Sequence, residues 1–162
     1  MPNVVICNTS PLQYLYQLGY LELLLHFYQQ VRIPPAVIRE LATGRQLGVS
    51  LPDPSTIDWL IEHAPHDDTI RSISTALGAG EREVLALAVE CSDVLVLIDD
   101  GRARRVGQRL GVSMTGTVGI LVRATQEGRI TQLAAALDQL AELGFRLGRE
   151  ARSVALRYVG EC

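Results

Sequence analysis

The chain contains no lysine; all 15 of its basic residues are arginine. Arginine makes bidentate contacts to carboxylate and phosphate that lysine cannot copy, although a GC-rich genome produces the same skew. Positive charge is not in excess either. The net charge is −3, so the composition does not advertise bulk affinity for nucleic acid. No apolar run approaches the ~20 residues of a membrane helix. The amino-terminal stretch Met1-Pro2-Asn3-Val4-Val5-Ile6-Cys7 has no basic region ahead of it, and no secretory signal is expected. Cysteine is scarce: Cys7, Cys91 and Cys162 have neither metal-ligand nor disulfide spacing. Reduced, buried thiols in a cytoplasmic protein are the expectation. There is no internal repeat and no low-complexity segment.

What is present is a chain of 162 residues, 48% apolar and 20% charged. That is enough for one folded domain, 1–162, with a real core. Val4–Cys7, Val31–Pro34, Val94–Ile98 and Val112–Met114 read as short strands, and 57–61 leans to strand. Apolar spacing predicts helices through Leu12, Leu15 and Leu18 up to Gly19, over 20–28, 35–41, 81–91, 102–110, 117–127, 131–143 and 149–158. Ser10 followed by Pro11 fits a helix N-cap with Pro at the first helical position. Gly111 is the natural C-cap of the helix before it. Residues 43–55 read as a Gly- and Pro-rich loop, and 66–74 is polar and ambiguous. Strands alternate with helices, which predicts an α/β fold around a mainly parallel sheet.

The acidic residues carry the functional signal. Asp99-Asp100 directly follows the apolar run Val94–Ile98, and ligand sites of open parallel sheets form outside the carboxyl ends of the strands. Glu40 lies late in the helix after the second strand, and Glu81 opens a helix after Gly78-Ala79-Gly80. Carboxylates gathered at such an edge repel one another unless a cation or a proton holds them, and Mg²⁺ is a usual solution. Each residue also has a plainer reading. Asn8, Thr9 and Ser10 could ligate or support a metal, or simply cap the next helix. Glu40 could be an exposed helix carboxylate beside Arg39. Glu81 is favoured in a first helical turn by the macrodipole, and Glu83 would face away from it. Arg102, Arg105 and Arg109 share one helix stripe, next to an apolar stripe of Ala103, Val106 and Leu110. Those arginines could hold a nucleic-acid backbone, or form a solvated face paired with Asp and Glu.

Other motifs are poorer. Gly78-Ala79-Gly80 lacks the strand-first context of a phosphate loop. His63, His66, Asp67 and Asp68 sit in a polar, proline-containing stretch. His26 reads as a helix-surface residue. No Ser/His/Asp nucleophile arrangement can be picked out.

In sequence order, the stretches Asn8-Thr9-Ser10, Val37-Ile38-Arg39-Glu40-Leu41, Glu81 to Ala88 and Leu97-Ile98-Asp99-Asp100 resemble the PIN-domain family. Asn8 to Leu12, Leu77 to Ala88, Ile98 to Arg105, Gly116 to Leu121 and Gly144 to Leu147 look like a PIN-like, VapC-toxin-like subfamily of bacteria and archaea. The resemblance implies a Mg²⁺- or Mn²⁺-dependent ribonuclease, with RNA as substrate. It also implies a possible toxin of a toxin–antitoxin pair with an antitoxin protein as partner, and a tendency to dimerise. It makes Glu40, Glu81 and one or both of Asp99 and Asp100 the catalytic, metal-holding carboxylates, with Asn8 beside them as a ligand and Thr9 and Ser10 supporting. Asn8 departs from the family pattern, where Asp is expected. A neutral amide removes one negative charge from the cluster and is expected to weaken a hard cation's hold.

The competing reading is a PIN-fold module that binds RNA or a protein without cleaving, which Asn8 and the acidic balance favour. A phosphatase or receiver-like switch would need its key Asp where Asn8 stands. The apolar residues Tyr14, Leu15, Leu18, Leu21, Leu23, Leu24, Leu25, Phe27 and Tyr28 exceed what two surface helices need. They are expected either to form a homodimer interface or to cover the sheet.

Overall fold

Short apolar runs become the sheet. Strands β1 (Val4–Cys7), β2 (Val31–Ile33), β3 (Leu60–Glu62), β4 (Val94–Leu97) and β5 (Ser113–Thr115) form one five-stranded sheet in the order β3-β2-β1-β4-β5. Every pairing is parallel. The computed structural model describes residues 1–161; Cys162, and with it the expectation of a third buried thiol, lies outside the described residues. In the central pair, Val4 stands opposite Val94 and Cys7 opposite Leu97. Val5, Ile6, Cys7, Val96 and Leu97 are buried, as expected of parallel strands covered on both faces. The chain steps outward from β1 to β2 to β3, then returns to place β4 on the other side of β1. The strand order therefore reverses between β1 and β4, and open α/β sheets bind ligands in the crevice at that reversal.

The helices are α1 (Thr9–Leu18), α2 (Glu22–Tyr28), α3 (Pro35–Gln46), α4 (Asp67–Ser72), α5 (Ala79–Glu90), α6 (Gly101–Arg109), α7 (Thr117–Gln126), α8 (Leu133–Glu142) and α9 (Arg149–Tyr158). Helix α5 carries much of the core, with every residue from Val84 to Ala88 buried. Among the described residues, no helix is long and apolar enough to cross a membrane.

Several boundaries differ from the sequence reading. The loop expected over 43–55 is shorter, because α3 continues to Gln46. Gly44 is a packing glycine: a Cβ there would collide with the Leu51 side chain. The chain turns only at Gly48, in left-handed backbone at φ +85°. A single 3-10 turn at Pro54–Thr56 follows, begun by the Asp53 carboxylate accepting from the Ser55 N–H at 3.0 Å. Strand β3 starts at Leu60 rather than Ile57, set by its pairing with Val31. The ambiguous stretch holds α4, and β5 is shifted one residue on. Helix α1 begins at Thr9 rather than after Ser10, so Asn8 takes the cap position. Glu40 stands in mid-helix rather than late. Leu110, expected on a buried stripe, is 42% exposed, because α6 packs instead through Gly107, where a Cβ would meet Met114 Sδ at 2.5 Å. Cys91 is only half-buried, unlike Cys7.

The apolar residues of the first two helices are largely consumed by the monomer. Leu15, Leu21, Leu23, Leu24 and Phe27 are buried, and Tyr14, Leu18 and Tyr28 pack against the same core. They cover the sheet, and so the exposed patch that motivated a dimer interface there is not formed.

Carboxylates reached from distant elements satisfy N–H groups at helix starts. Glu83 accepts from Ala36 N–H at the start of α3, at 2.9 Å. Glu90 accepts from His66 N–H just before α4, at 2.8 Å. Glu161 accepts from both Leu133 and Ala134 N–H at the start of α8, at 2.6 and 2.9 Å. Helix starts leave N–H groups unsatisfied and favour negative charge, and Gln132 supplies no side-chain cap. Glu161→Ala is expected to destabilise the fold by about 1–2 kcal/mol, with Glu161→Gln losing less. Urea unfolding of the two variants checks this, and equal stability of Glu161→Ala and wild type would remove the clasp.

Candidate functional site

The crevice is built where β1, β4 and β5 end. After Cys7 the chain passes into α1, and Asn8 N–H donates to Leu97 O at 2.9 Å, tying the ends of β1 and β4 together. Asn8 is 6% exposed, and its side chain makes no capping bond to α1. Its Oδ1 is buried without a hydrogen-bond partner among the described residues. Thr9 and Ser10 do not cap the helix either. Thr9 Oγ1 donates to Glu40 Oε1, and Ser10 Oγ donates to Asp99 Oδ2 at 2.7 Å. The first turn of α1 therefore stands between two of the expected carboxylates and holds both.

Asp99 and Asp100 part company at the end of β4. Asp100 is the N-cap of α6, its carboxylate accepting from Ala103 N–H at 2.9 Å. Asp99 turns toward α7 and accepts from Thr117 N–H at 2.8 Å and Thr117 Oγ1 at 2.7 Å, in addition to Ser10. Thr117 is fully buried, and it was assigned no role from the sequence. A fully buried hydroxyl needs a partner, and a threonine opening a helix right after β5, at the same edge of the sheet, was the signal available. Gly116 is required by this approach: a Cβ there would stand 2.6 Å from Asp99 Oδ1.

Glu40 reaches the crevice from α3 and accepts from Gly80 N–H, in the first turn of α5, at 3.0 Å. Gly80 is glycine for that reason, since a Cβ would lie 2.5 Å from Glu40 Oε1. Glu81 folds back on its own helix start, accepting from Gly78 N–H at 3.1 Å. Desolvation raises its affinity for a proton, and the negative charges of Asp100 and Glu40 add to the rise. The Gly78 N–H and Arg102 pull the other way, and the net shift is upward. The same crevice reaches Cys7: burial first, then the charge of Asp99, push its thiol well up, so it stays protonated and inert.

Glu81 thus lies within electrostatic reach of Asp100 and Glu40, and Thr9 and Ser10 tie Glu40 and Asp99 to the first turn of α1, just after Asn8. His63 and His66 do not join them. Arg32 contacts His63 at 3.1 Å and Glu90 contacts His66 at 3.1 Å. Arg102, Arg105 and Arg109 are exposed along α6, and none has a carboxylate in ion-pair reach among the described residues. An arginine that the stripe omitted stands at the end of β4. Arg104 Nη1 donates to Ile98 O at 2.9 Å and lies 3.3 Å from where a Gly116 Cβ would be.

The donors offered are all oxygens, which suits a hard divalent cation. Among the described residues, no three Asp, Glu, His or Cys side chains converge closely enough to hold a metal ion together; Glu40, Asp99 and Asp100 are each turned onto a hydroxyl or a backbone N–H. Mg²⁺ is commonly bound by one or two carboxylates with several waters rather than by an all-protein cage, and this set fits that mode. The buried, unpartnered Asn8 Oδ1 points the same way, since buried polar atoms are rarely left unsatisfied.

The upward shift of Glu81 has a stability consequence. A carboxylate whose folded-state affinity for protons is raised weakens the fold when charged, fully above the raised value. That weakening disappears as pH falls through it toward the ordinary 4.5. In chelator, Glu81→Gln is expected to melt higher than wild type at pH 7, and the gap should close on titration toward pH ~4.5. A variant that melts no higher at pH 7 would contradict this electrostatic picture.

No curated protein matches this sequence. A family model described as a PIN domain matches residues 4–161. The parallel five-stranded α/β sheet with its acidic crevice agrees with that match. PIN domains are nuclease-type proteins and generally depend on divalent metal. With nearly the whole chain covered, the protein belongs to the PIN-domain family.

Proposed function

We propose that this chain is a divalent-metal-dependent endoribonuclease. The observation that carries the reading is the gathering of Glu40, Glu81, Asp99 and Asp100 at the strand-order reversal, beside the buried, unpartnered Asn8 Oδ1. Asn8, Glu40, Glu81, Asp99 and Asp100 would hold Mg²⁺ or Mn²⁺, which would supply Lewis-acid polarisation of a phosphoryl oxygen and a more acidic water. Ser10 and Thr117 keep Asp99 in one orientation, and Thr9 and the Gly80 N–H do the same for Glu40. Glu81 sits on the Gly78 N–H at the start of α5, within electrostatic reach of Asp100 and Glu40. Arg105 and Arg109, which form no ion pair among the described residues, and Arg102, whose charge also acts on Glu81, would face backbone phosphates.

Millimolar Mn²⁺ is expected to raise the melting temperature by mass action, and to support cleavage of at least one of several structured and unstructured RNAs. Asp99→Asn should abolish the shift and lower cleavage by about 10²-fold or more. A wild type that neither shifts with Mn²⁺ nor cleaves would end the reading. A toxin role, with an antitoxin protein as partner and a homodimeric state, extends it. Growth arrest on expression, relieved by Asp99→Asn, is the expected sign.

The second reading, a binding module without cleavage, is favoured by the neutral Asn8 and by the engagement of Asp99 and Glu40 with protein donors. Asn8→Asp separates the two. A carboxylate at this 6% exposed position should cost about 3 kcal/mol of stability in chelator, and a bound divalent ion should recover it. For a nuclease weakened by a missing charge, the variant should respond more to Mn²⁺ and cleave faster. Faster cleavage by wild type would mean that Asn8 is tuned as it stands. Mn²⁺ binding by both proteins with no cleavage by either would favour the binding module.

A further inference from the structure

At the edge of the sheet opposite the acidic crevice, where α1 ends and β3 begins, lies a cavity of about 450 Å³. Small-ligand sites are of this size, roughly 300–1,000 Å³. Tyr16 and Trp59 supply its aromatic surface, Leu51 and Ile57 its aliphatic surface, and Glu22 and Asp53 its charge. The fold ties these walls together. Trp59 O accepts from Val31 N–H at 3.0 Å, which fixes the start of the β2–β3 pairing. Gln17 Nε2, near the end of α1, donates to Ser50 O at 3.0 Å, and Arg45 Nη1 donates to Pro52 O at 2.7 Å. The cavity therefore stands ready rather than forming around a ligand.

Its aromatic rings and its carboxylates both have contacts to spare. Trp59 is the chain's single tryptophan, and Tyr16 is 41% exposed. Neither ring has an aromatic or cationic partner among the described residues, whereas Phe27 already carries the Arg123 guanidinium at 4.1 Å. Glu22 is exposed and forms no ion pair among the described residues; Arg129, which lines the adjoining hollow with it, does not pair with it. Asp53 spends only Oδ1, on the Ser55 N–H and hydroxyl and on Arg45 at 3.8 Å. Arg45 offsets one of the two negative charges and leaves the other.

These features select one kind of ligand. An anion would be repelled by Glu22 and Asp53. A neutral apolar molecule would leave both carboxylates unanswered, and a bare metal ion would leave the rings unused. A nitrogen cation on a carbon skeleton uses all of them: its charge is attracted to ring faces, and its N–H groups make charge-assisted hydrogen bonds to carboxylate oxygens.

We propose that this cavity binds an organic cation, a guanidinium or alkylammonium group, against Tyr16 and Trp59, with its N–H donors on Glu22 and on Asp53 Oδ2. A free polyamine and an arginine or lysine side chain of a protein present the same chemistry. The site lies away from the acidic crevice and does not depend on the nuclease reading.

The test is calorimetric titration of the full chain at low ionic strength with spermidine, with Nα-acetylarginine amide and with its uncharged isostere Nα-acetylcitrulline amide. Trp59 emission is followed in parallel, and with one tryptophan in the chain it reports on this cavity. At least one of the two cations should bind with a millimolar or tighter Kd and change the emission, and the citrulline amide should do neither. Tighter binding of spermidine identifies a free polyamine as the source, and tighter binding of the arginine amide a protein side chain; either result bears out the site. Glu22→Gln and Tyr16→Leu should each weaken binding about fivefold. Glu142→Gln, the same loss of charge on the exposed face of α8, should leave affinity within twofold. Binding of neither cation, binding that leaves Trp59 emission unchanged, equal binding of the citrulline amide, or equal losses for Glu22→Gln and Glu142→Gln would each overturn the site.

Discussion

The crevice depends on helix starts holding carboxylates. Asp100 sits on the start of α6, Asp99 on that of α7, and Glu40 and Glu81 on N–H groups at the start of α5. Four negative charges in one place would ordinarily drive the elements apart. Each helix start instead presents unsatisfied N–H donors and the positive end of its dipole, and hydrogen bonds to a charged acceptor are stronger than neutral ones. The strand order makes this possible, because β1, β4 and β5 end side by side and two of them feed directly into these helices. The acidic cluster is therefore part of the fold's architecture before any cation enters.

That arrangement divides the cluster into rigid and responsive parts. Asp99 has three donors from two elements and is fixed. Glu81 has one backbone donor, feels the charges of Asp100 and Glu40, and takes up a proton more readily than usual. Positive charge lies outside the cluster on α6 and before α9, so the acidic overall balance conceals a local dipole, with carboxylates in the crevice and arginines around it. A polyanion could approach along the arginines while its reactive phosphate meets the acids.

Much of this was legible in the sequence. Short apolar runs gave the strands, and strand-end placement singled out Asp99 and Asp100 before any family resemblance was invoked. Glycine has more than one meaning in this chain. Gly44 reads as a loop signal and is a contact inside a helix. Gly78-Ala79-Gly80 lacks the context of a phosphate loop, and Gly80 is small so that Glu40 can reach its N–H. Sequence alone does not separate a glycine needed for its backbone angle from one needed for a neighbour's approach, because the neighbour comes from far along the chain. Arg104 was missed for a related reason. Helical period identifies a stripe, here Arg102, Arg105 and Arg109, but the residue that folds back over the strand end is decided by the cap at Asp100.

Asn8 brings these threads together. Its backbone joins β1 to β4, it precedes the two hydroxyls that position Glu40 and Asp99, and its own Oδ1 is left without a partner among the described residues. A carboxylate here would add a charge to a cluster whose nearby helix starts are already engaged by Asp99, Asp100, Glu40 and Glu81. With no further donor assigned to it, that charge would depend on a cation from solution. The amide offers the same kind of oxygen without the charge, so the fold avoids an unpaired buried anion. On this argument the neutral residue adds stability to the fold, and the proposed attraction of a cation would rest on the four carboxylates that the helices hold in place.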